Sequence, residues 1–145
     1  MTKILPLILQ LFRRLTGIFV VILAFYFATI LITFDSNDPS FNTFSTYENI
    51  NNYGGIMGAK IADLCYQFIG VSSFVLVIFI FSLGLQLIDI NGIEYFLTKL
   101  IIIPLAILVF SLFFSIIPSP EWWQFASLGG VNGLSLIHIS RAHET

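Results

Sequence analysis

Few side chains in this sequence could do chemistry, and their spacing limits what that chemistry can be. Asp63 is the one acid within a turn or two of a long apolar run. An ionisable group at that depth is a functional candidate by default. Proton or ion coupling would need a second acid or a histidine in another apolar run, and the sequence offers none. Lys60 stands three residues earlier, a helical spacing that would pair the two charges at a wet interface. His138 and His143 lie with Ser140 near the C-terminus, and they complete neither an acid–His–nucleophile set nor a metal-ligand spacing. Cys65 is the single cysteine, so an internal disulfide is excluded, and it reads as a small apolar residue near a helix start. Gly129-Gly130-Val131-Asn132-Gly133 has the glycine density of a phosphate loop. Such a loop requires Lys after its last glycine, where this chain has Leu134, so nucleotide binding is rejected. The residues therefore predict no catalytic group, no metal and no cofactor in this chain.

The elements that would have to position these residues are made for lipid. Of the 145 residues 57% are hydrophobic and only 10% charged, against roughly 25% charged in a soluble domain. A surface that apolar cannot be covered by water alone. A net charge of −2, with the Lys and Arg residues scattered, gives no nucleic-acid surface. A bilayer core about 30 Å thick needs about 20 apolar residues in a helix. Three charge-free runs approach or meet that length, near Leu15–Phe34, Phe68–Ile88 and Leu100–Ile117. The fold class is thus all-α, an integral membrane helical domain with three predicted spans. The first run is too long for a signal-peptide core and lacks a small-x-small cleavage site, so it reads as an uncleaved anchor. In the second, Gly70, Ser73, Val77 and Gly84 fall near one helical face, a stripe of small residues that would let another helix approach. Pro104 sits in the first turns of the third, and Pro118 and Pro120 stop it.

Positive charge held in the cytoplasm sets orientation. Lys3, Arg13 and Arg14 precede the first run, and no Lys or Arg occurs between Asp35 and Ala59. The N-terminus, residues 1–14, is therefore expected inside and the 35–59 loop outside. Within that loop Asp35-Ser36-Asn37-Asp38-Pro39-Ser40 is turn chemistry. From Ile56 onward the pattern predicts a helical lead-in that continues into the second span. Trp122 and Trp123 follow the third run, as in the aromatic belt at a membrane surface.

Three stretches together resemble a known family. They are Arg14-Leu15-Thr16-Gly17 opening a run that ends in Phe34-Asp35-Ser36-Asn37-Asp38-Pro39-Ser40-Phe41-Asn42; Asn52-Tyr53-Gly54-Gly55-Ile56-Met57-Gly58-Ala59-Lys60-Ile61-Ala62-Asp63-Leu64 with Phe68-Ile69-Gly70; and Trp122-Trp123-Gln124-Phe125-Ala126-Ser127-Leu128-Gly129-Gly130-Val131-Asn132-Gly133. Their order and spacing resemble the N-terminal membrane domain of the FtsK/SpoIIIE DNA translocases; the resemblance covers about Leu11 to Leu134, with the transmembrane domain itself at residues 15–133. Ser36 departs from the pattern, standing where the family often has proline. The resemblance implies a bacterial inner-membrane protein of the division septum, anchored by four spans, self-associating, and in contact with divisome membrane proteins. It implies a cytoplasmic motor elsewhere in the full-length protein, which would use ATP and magnesium to move double-stranded DNA. The candidate structural and interface residues are then Lys60, Asp63, Gly70, Ser73, Gly84, Trp122, Trp123, Gly129, Gly130 and Gly133.

Where the family's fourth span should follow, Leu134–Thr145 is short and carries Arg141 and Glu144. It resembles the peptide produced by reading through a sequencing adapter. Residues 134–145 are accordingly expected to be non-native and to pack against nothing. Two rival readings stay open at this level. A small transporter or channel subunit should show polar groups along a path in several spans, which only Asp63 and Gln86 approach. A structural membrane protein with no motor partner would show no such path.

Overall fold

The computed structural model describes residues 4–41, 50–89, 96–121 and 123–142. Among them the regular structure is entirely helical, in five helices: α1 (Ile4–Ile32), α2 (Gly55–Ile69), α3 (Ser73–Ile88), α4 (Phe96–Ile116) and α5 (Gly130–Ala142), with one 3-10 turn at Gly70–Ser72 joining α2 to α3. The all-helical membrane fold expected from the sequence is what the chain adopts. Two stretches, Leu5–Ile32 and Gly55–Ile88, are long and apolar enough to cross a membrane. The third, Ile101–Ile116 within α4, is a shorter apolar helix.

Element boundaries depart from the sequence reading in instructive ways. α1 starts eleven residues before Leu15, so Arg13 and Arg14 lie inside the helix rather than ahead of it. Arginine is a good helix former, and Pro6 sits in the first turn, where its missing N–H is harmless. At 29 residues α1 is about 43 Å long, more than the hydrocarbon needs. The expected second span is broken two residues after its start. Gly70 has φ 59° and ψ −142°, which no helix can continue through, and its N–H caps the carbonyls of Cys65 and Tyr66. The helical lead-in predicted from Ile56 is therefore a separate helix, α2, set at an angle to α3. Because α4 begins at Phe96 rather than Leu100, Pro104 lies in its third turn.

The longest pairing is α1 against α3. It runs antiparallel because Gly17 meets Gly84 and Ile88 near one end while Phe25 meets Phe81 edge-on higher up. A Cβ on Gly84 would stand 2.9 Å from the Val21 nitrogen, and one on Gly17 would stand 2.8 Å from the Gly84 carbonyl oxygen. Glycine is required on both sides for the backbones to approach this closely.

The two ends of the bundle differ in chemistry. At one end lie Arg13, Arg14, Asp89 and Lys99; the Arg13 guanidinium donates to the Asp89 carbonyl oxygen at 2.7 Å and the Lys99 ammonium to the Gln86 amide oxygen. We call this the arginine end. At the other, the cap end, the turn after α1, the start of α2 and residues 120–130 meet over a small core of Leu31, Ala62 and Tyr66.

Residues 134–142 do not hang free as the sequence reading expected. α5 crosses the Gly133–Leu134 boundary as one helix, lies against α4 and α2, and half-buries Leu134 and Ile137. Once a helix is nucleated at Gly130, each further residue adds a hydrogen bond at little cost, and Leu-Ser-Leu-Ile has no breaker. Residues 143–145, His143 among them, lie outside the described part of the chain.

Candidate functional site: the cap and its glycine–serine seam

The cap begins where α1 ends and leaves carbonyls without helical partners. Asn52, only 3% exposed, meets that need. Its Nδ2 donates to the Ile30 oxygen at 2.8 Å and the Thr33 oxygen at 3.3 Å, while its Oδ1 accepts from the Gly54 N–H at 2.8 Å. The Tyr66 hydroxyl donates to the Leu31 oxygen at 2.9 Å. Asp38 holds Asn52 in place: its two carboxylate oxygens accept from the backbone N–H groups of Asn51 and Asn52 at 2.9 and 2.8 Å. Asp35 accepts from the Asn37 backbone and the Asn51 side chain, and these hydrogen bonds hold its carboxyl below the usual carboxylate range.

Above this polar frame four rings interlock. Tyr66 meets Trp123 edge-on at 5.4 Å and Phe125 stacked at 6.0 Å; Phe34 lies 5.1 Å from Tyr66 and 5.6 Å from Phe125. They border a cavity of about 290 Å³ between Leu31, Phe34, Asp35, Tyr66, Trp123 and Phe125. Trp123 is thus a packing residue: its indole N–H donates to the Ser127 carbonyl at 2.9 Å. Trp122 lies outside the described residues.

Below the rings is a seam made of glycine and serine. Gly70 and Gly130, with φ 59° and 65°, break α2 and begin α5 at one point, and the Val71 N–H donates to the Leu128 oxygen at 2.8 Å across the break. A Cβ on Gly70 would strike the Leu128 carbonyl and stand 2.7 Å from the Gly130 nitrogen; one on Gly130 would stand 2.8 Å from the Gln67 oxygen. Gly129 and Gly133, four apart, face Ser111 and Ser115, four apart on α4. The fully buried Ser111 hydroxyl donates to the Gly129 oxygen, Ser115 and Ser127 share a hydrogen bond at 3.1 Å, and Ser127 donates to the Gly130 oxygen at 3.0 Å. This is small-xxx-small packing on both partners, with hydroxyls satisfying the carbonyls that close approach uncovers.

The candidate residues divide accordingly. Gly70, Gly129, Gly130, Gly133 and Trp123 come together in the cap and seam. Ser73, fully buried, closes the break by donating to the Gly70 oxygen at 2.7 Å. Gly84 belongs to the α1–α3 contact instead, and Val77 to the core around Tyr66. The stripe therefore faces several partners, because the turn at Gly70 rotates its upper member away. Asp63 and Lys60 do not pair as expected. Asp63 turns inward and accepts from Gln67 at 2.8 Å, whereas the Lys60 ammonium stands 5.1 Å from the Phe41 ring centroid. Gly17, Asp38 and Asn52 entered the sequence reading only as members of longer stretches, without the roles seen here, and Ser111 not at all; the Gly129/Gly133 and Ser111/Ser115 spacings were signals for the seam, and nothing local marked Asn52 as a cap. Among the described residues no three His, Cys, Asp or Glu side chains converge as metal ligands.

The arrangement is structural: it locks a bent helix, a short helix and a loop over the end of a helix pair. Residues 10–142 match the model for the 4TM region of DNA translocase FtsK/SpoIIIE. The chain belongs to the FtsK/SpoIIIE 4TM family. Similar proteins are the DNA translocase FtsK of Shewanella oneidensis, 33% identical over 119 residues and 77% of this chain, and those of Rickettsia prowazekii and Rickettsia typhi, each 40% identical over 55 residues and 38% of this chain. The matched stretch is 13% of the Shewanella protein and 7% of each Rickettsia one, so the 4TM chain spans a small part of its relatives. No solved structure matches it. The 4TM match extends past Gly133 into residues 134–142, the same stretch that continues as α5.

Proposed function

We propose that this chain is the membrane anchor and septal-targeting domain of a bacterial DNA translocase acting in cell division and chromosome segregation. The family match over residues 10–142 carries the reading, and the locked cap over an apolar helix pair supports it. In this reading the chain performs no catalysis and does not touch DNA. ATP and magnesium serve a motor in the full-length protein, and the anchor self-associates and contacts divisome membrane proteins. The N-terminus lies in the cytoplasm of a multi-pass inner-membrane protein, with the cap end outside. The charge distribution supports that polarity: Arg13, Arg14 and Lys99 share one end, while Asp35, Asp38, Asp63 and Glu121 lie toward the other with Lys60. Among the described residues no polar path favours the transporter reading, since Asp63 and Gln86 are engaged with Gln67 and Lys99 at opposite ends.

A fluorescent fusion of the chain in dividing bacteria tests the targeting. Enrichment at mid-cell is expected; an even distribution around the envelope would reject targeting and leave anchoring in place. Reporter fusions after Asn49, Asn91 and Glu121 should read outside, inside and outside, and a cytoplasmic signal at Asn49 would reverse the topology.

A further inference from the structure

The cavity bordered by the four rings has a floor, a wall and a rim of different chemistry. Its floor is Leu31 and the buried Tyr66. Phe34, Trp123 and Phe125 complete the wall, and rings set at 28° to 90° to one another surround the space from several sides. At the rim stand Ile32 and Gln124, both exposed, with the Asp35 carboxylate beside them. The volume of about 290 Å³ lies at the lower edge of the range for small-molecule sites. A second cavity of about 150 Å³ shares Phe34, Asp35, Gln124 and Phe125 with the first and adds Asp38 and Asp63.

Charge decides what this space can take. The carboxylates along the two cavities accept hydrogen bonds from neutral donors: Asp35 from Asn37 and Asn51, Asp38 from the Asn51 and Asn52 N–H groups, and Asp63 from Gln67. In the sequence Lys60 is the only Lys, Arg or His between Arg14 and Lys99, and its ammonium stands over the Phe41 ring. Residues 42–49, outside the described part of the chain, contain no basic side chain that could neutralise these acids. An anion is therefore repelled. A neutral apolar guest would strip water from Asp35 and give it no partner, which is costly. A bare metal ion gains little from the rings, and among the described residues no three acids, cysteines or histidines converge to hold one. A weakly hydrated organic cation gains twice, because ring faces attract it and so does the carboxylate.

We propose that this cavity binds an organic cation, an ammonium group on a short aliphatic stem, with the ammonium at Asp35 and the stem among Phe34, Tyr66, Trp123 and Phe125. Such a group comes from a soluble amine or, because Ile32 at the rim ends the apolar helix α1, from the ethanolamine headgroup of a phospholipid. The site goes beyond the anchor role and does not depend on septal targeting.

Titration of the full chain in a non-ionic detergent with n-butylammonium chloride, followed through tryptophan fluorescence, tests this. Trp123 lines the cavity, so a saturable change is expected, with half-saturation at about 1 mM for a ligand of so few atoms. Sodium chloride at the same ionic strength should give no saturable change. n-Butanol, a stem without the charge, should bind at least about tenfold more weakly. Asp35→Asn should weaken n-butylammonium binding about fivefold or more. Gln124→Lys, which brings a tethered ammonium to the rim, should weaken it about tenfold, and Gln124→Glu should strengthen it about two- to threefold. Both alter an exposed side chain and should leave helix content unchanged. The absence of a saturable change would overturn the proposal. So would n-butanol binding as tightly as n-butylammonium, or Asp35→Asn and Gln124→Lys both binding like the parent chain. Phosphatidylethanolamine added to the micelles, against diacylglycerol with the same acyl chains, names the source. A fall in apparent affinity for n-butylammonium assigns the site to the headgroup, and an unchanged affinity assigns it to a soluble amine; both support the cation site.

Discussion

The cap end and the exposed side of α4 are built on opposite principles. At the cap, backbone meets backbone, each uncovered carbonyl named above finds a donor, and glycine is needed at four neighbouring positions. Along its exposed side, α4 presents large apolar side chains such as Ile101, Leu105, Val109 and Phe113. The difference follows from the solvent. Lipid satisfies an apolar side chain as well as a protein neighbour does, so exposed Leu and Phe are cheap there. It satisfies no carbonyl at all, so a break such as that at Gly70 survives only with internal partners. Polar groups therefore dictate where this molecule is rigid.

Substitutions at the Gly70 crossing should sharpen that contrast most. Gly70→Ala combines a left-handed backbone with a collision against Leu128, and a loss of more than about 3 kcal/mol is expected. Gly55→Ala is the matched control, because its φ is also positive, 63°, with nothing within 4 Å of a Cβ; it should cost only about 1 kcal/mol. Unfolding in mixed micelles, followed through the Trp123 environment, reads both, and equal losses would remove the crossing from the account. Gly133→Leu should cost about 2–3 kcal/mol by lifting α5 from Ser111 and Ser115. Asn52→Ala should cost about 1–3 kcal/mol through the stranded Ile30 and Thr33 carbonyls. Faster amide exchange at the end of α1 would show it.

Acid should loosen the cap before the helix pair. The folded-state pKa of Asp35 is lowered, so its contribution to stability is present above the ordinary carboxylate value and is lost as pH falls through the depressed folded one. Asp35→Asn should remove that acid-dependent step, and a titration that is the same in both proteins would assign it elsewhere. The smallest effect is expected on the exposed side of α4: Phe113→Ala should stay within about 0.5 kcal/mol of the parent.

What the sequence made legible follows the same division. Apolar runs announced the helices, because twenty residues without a charge need no tertiary knowledge to interpret. Gly129, Gly130 and Gly133 were named as candidate structural residues, and the structure shows why they must be small. The break at Gly70 was hidden inside a hydrophobic run that reads as continuous, since a single glycine in a membrane helix is compatible with either outcome. Asn52 was hidden for another reason: its acceptors and donors come from Ile30, Thr33, Asp38 and Gly54, and no local pattern records a partner twenty residues away. Asp63 and Lys60 had the spacing of an ion pair, but burial of the α2 face that carries Gly58, Ala59, Ala62 and Asp63 turned the acid inward.

The crossing of Gly70 with Gly130 also sets an order of assembly. The residues that pair α1 with α3 are all present once Ile88 has been synthesised, but the partner of Gly70 lies roughly forty residues further on, about 2–8 s of bacterial synthesis. For that interval the turn at Gly70–Ser72 has no lock from α5, and the helix pair waits in the membrane as a half-finished hairpin. The cap is therefore the last part to close, and its closure reports that the chain has been made as far as Gly130.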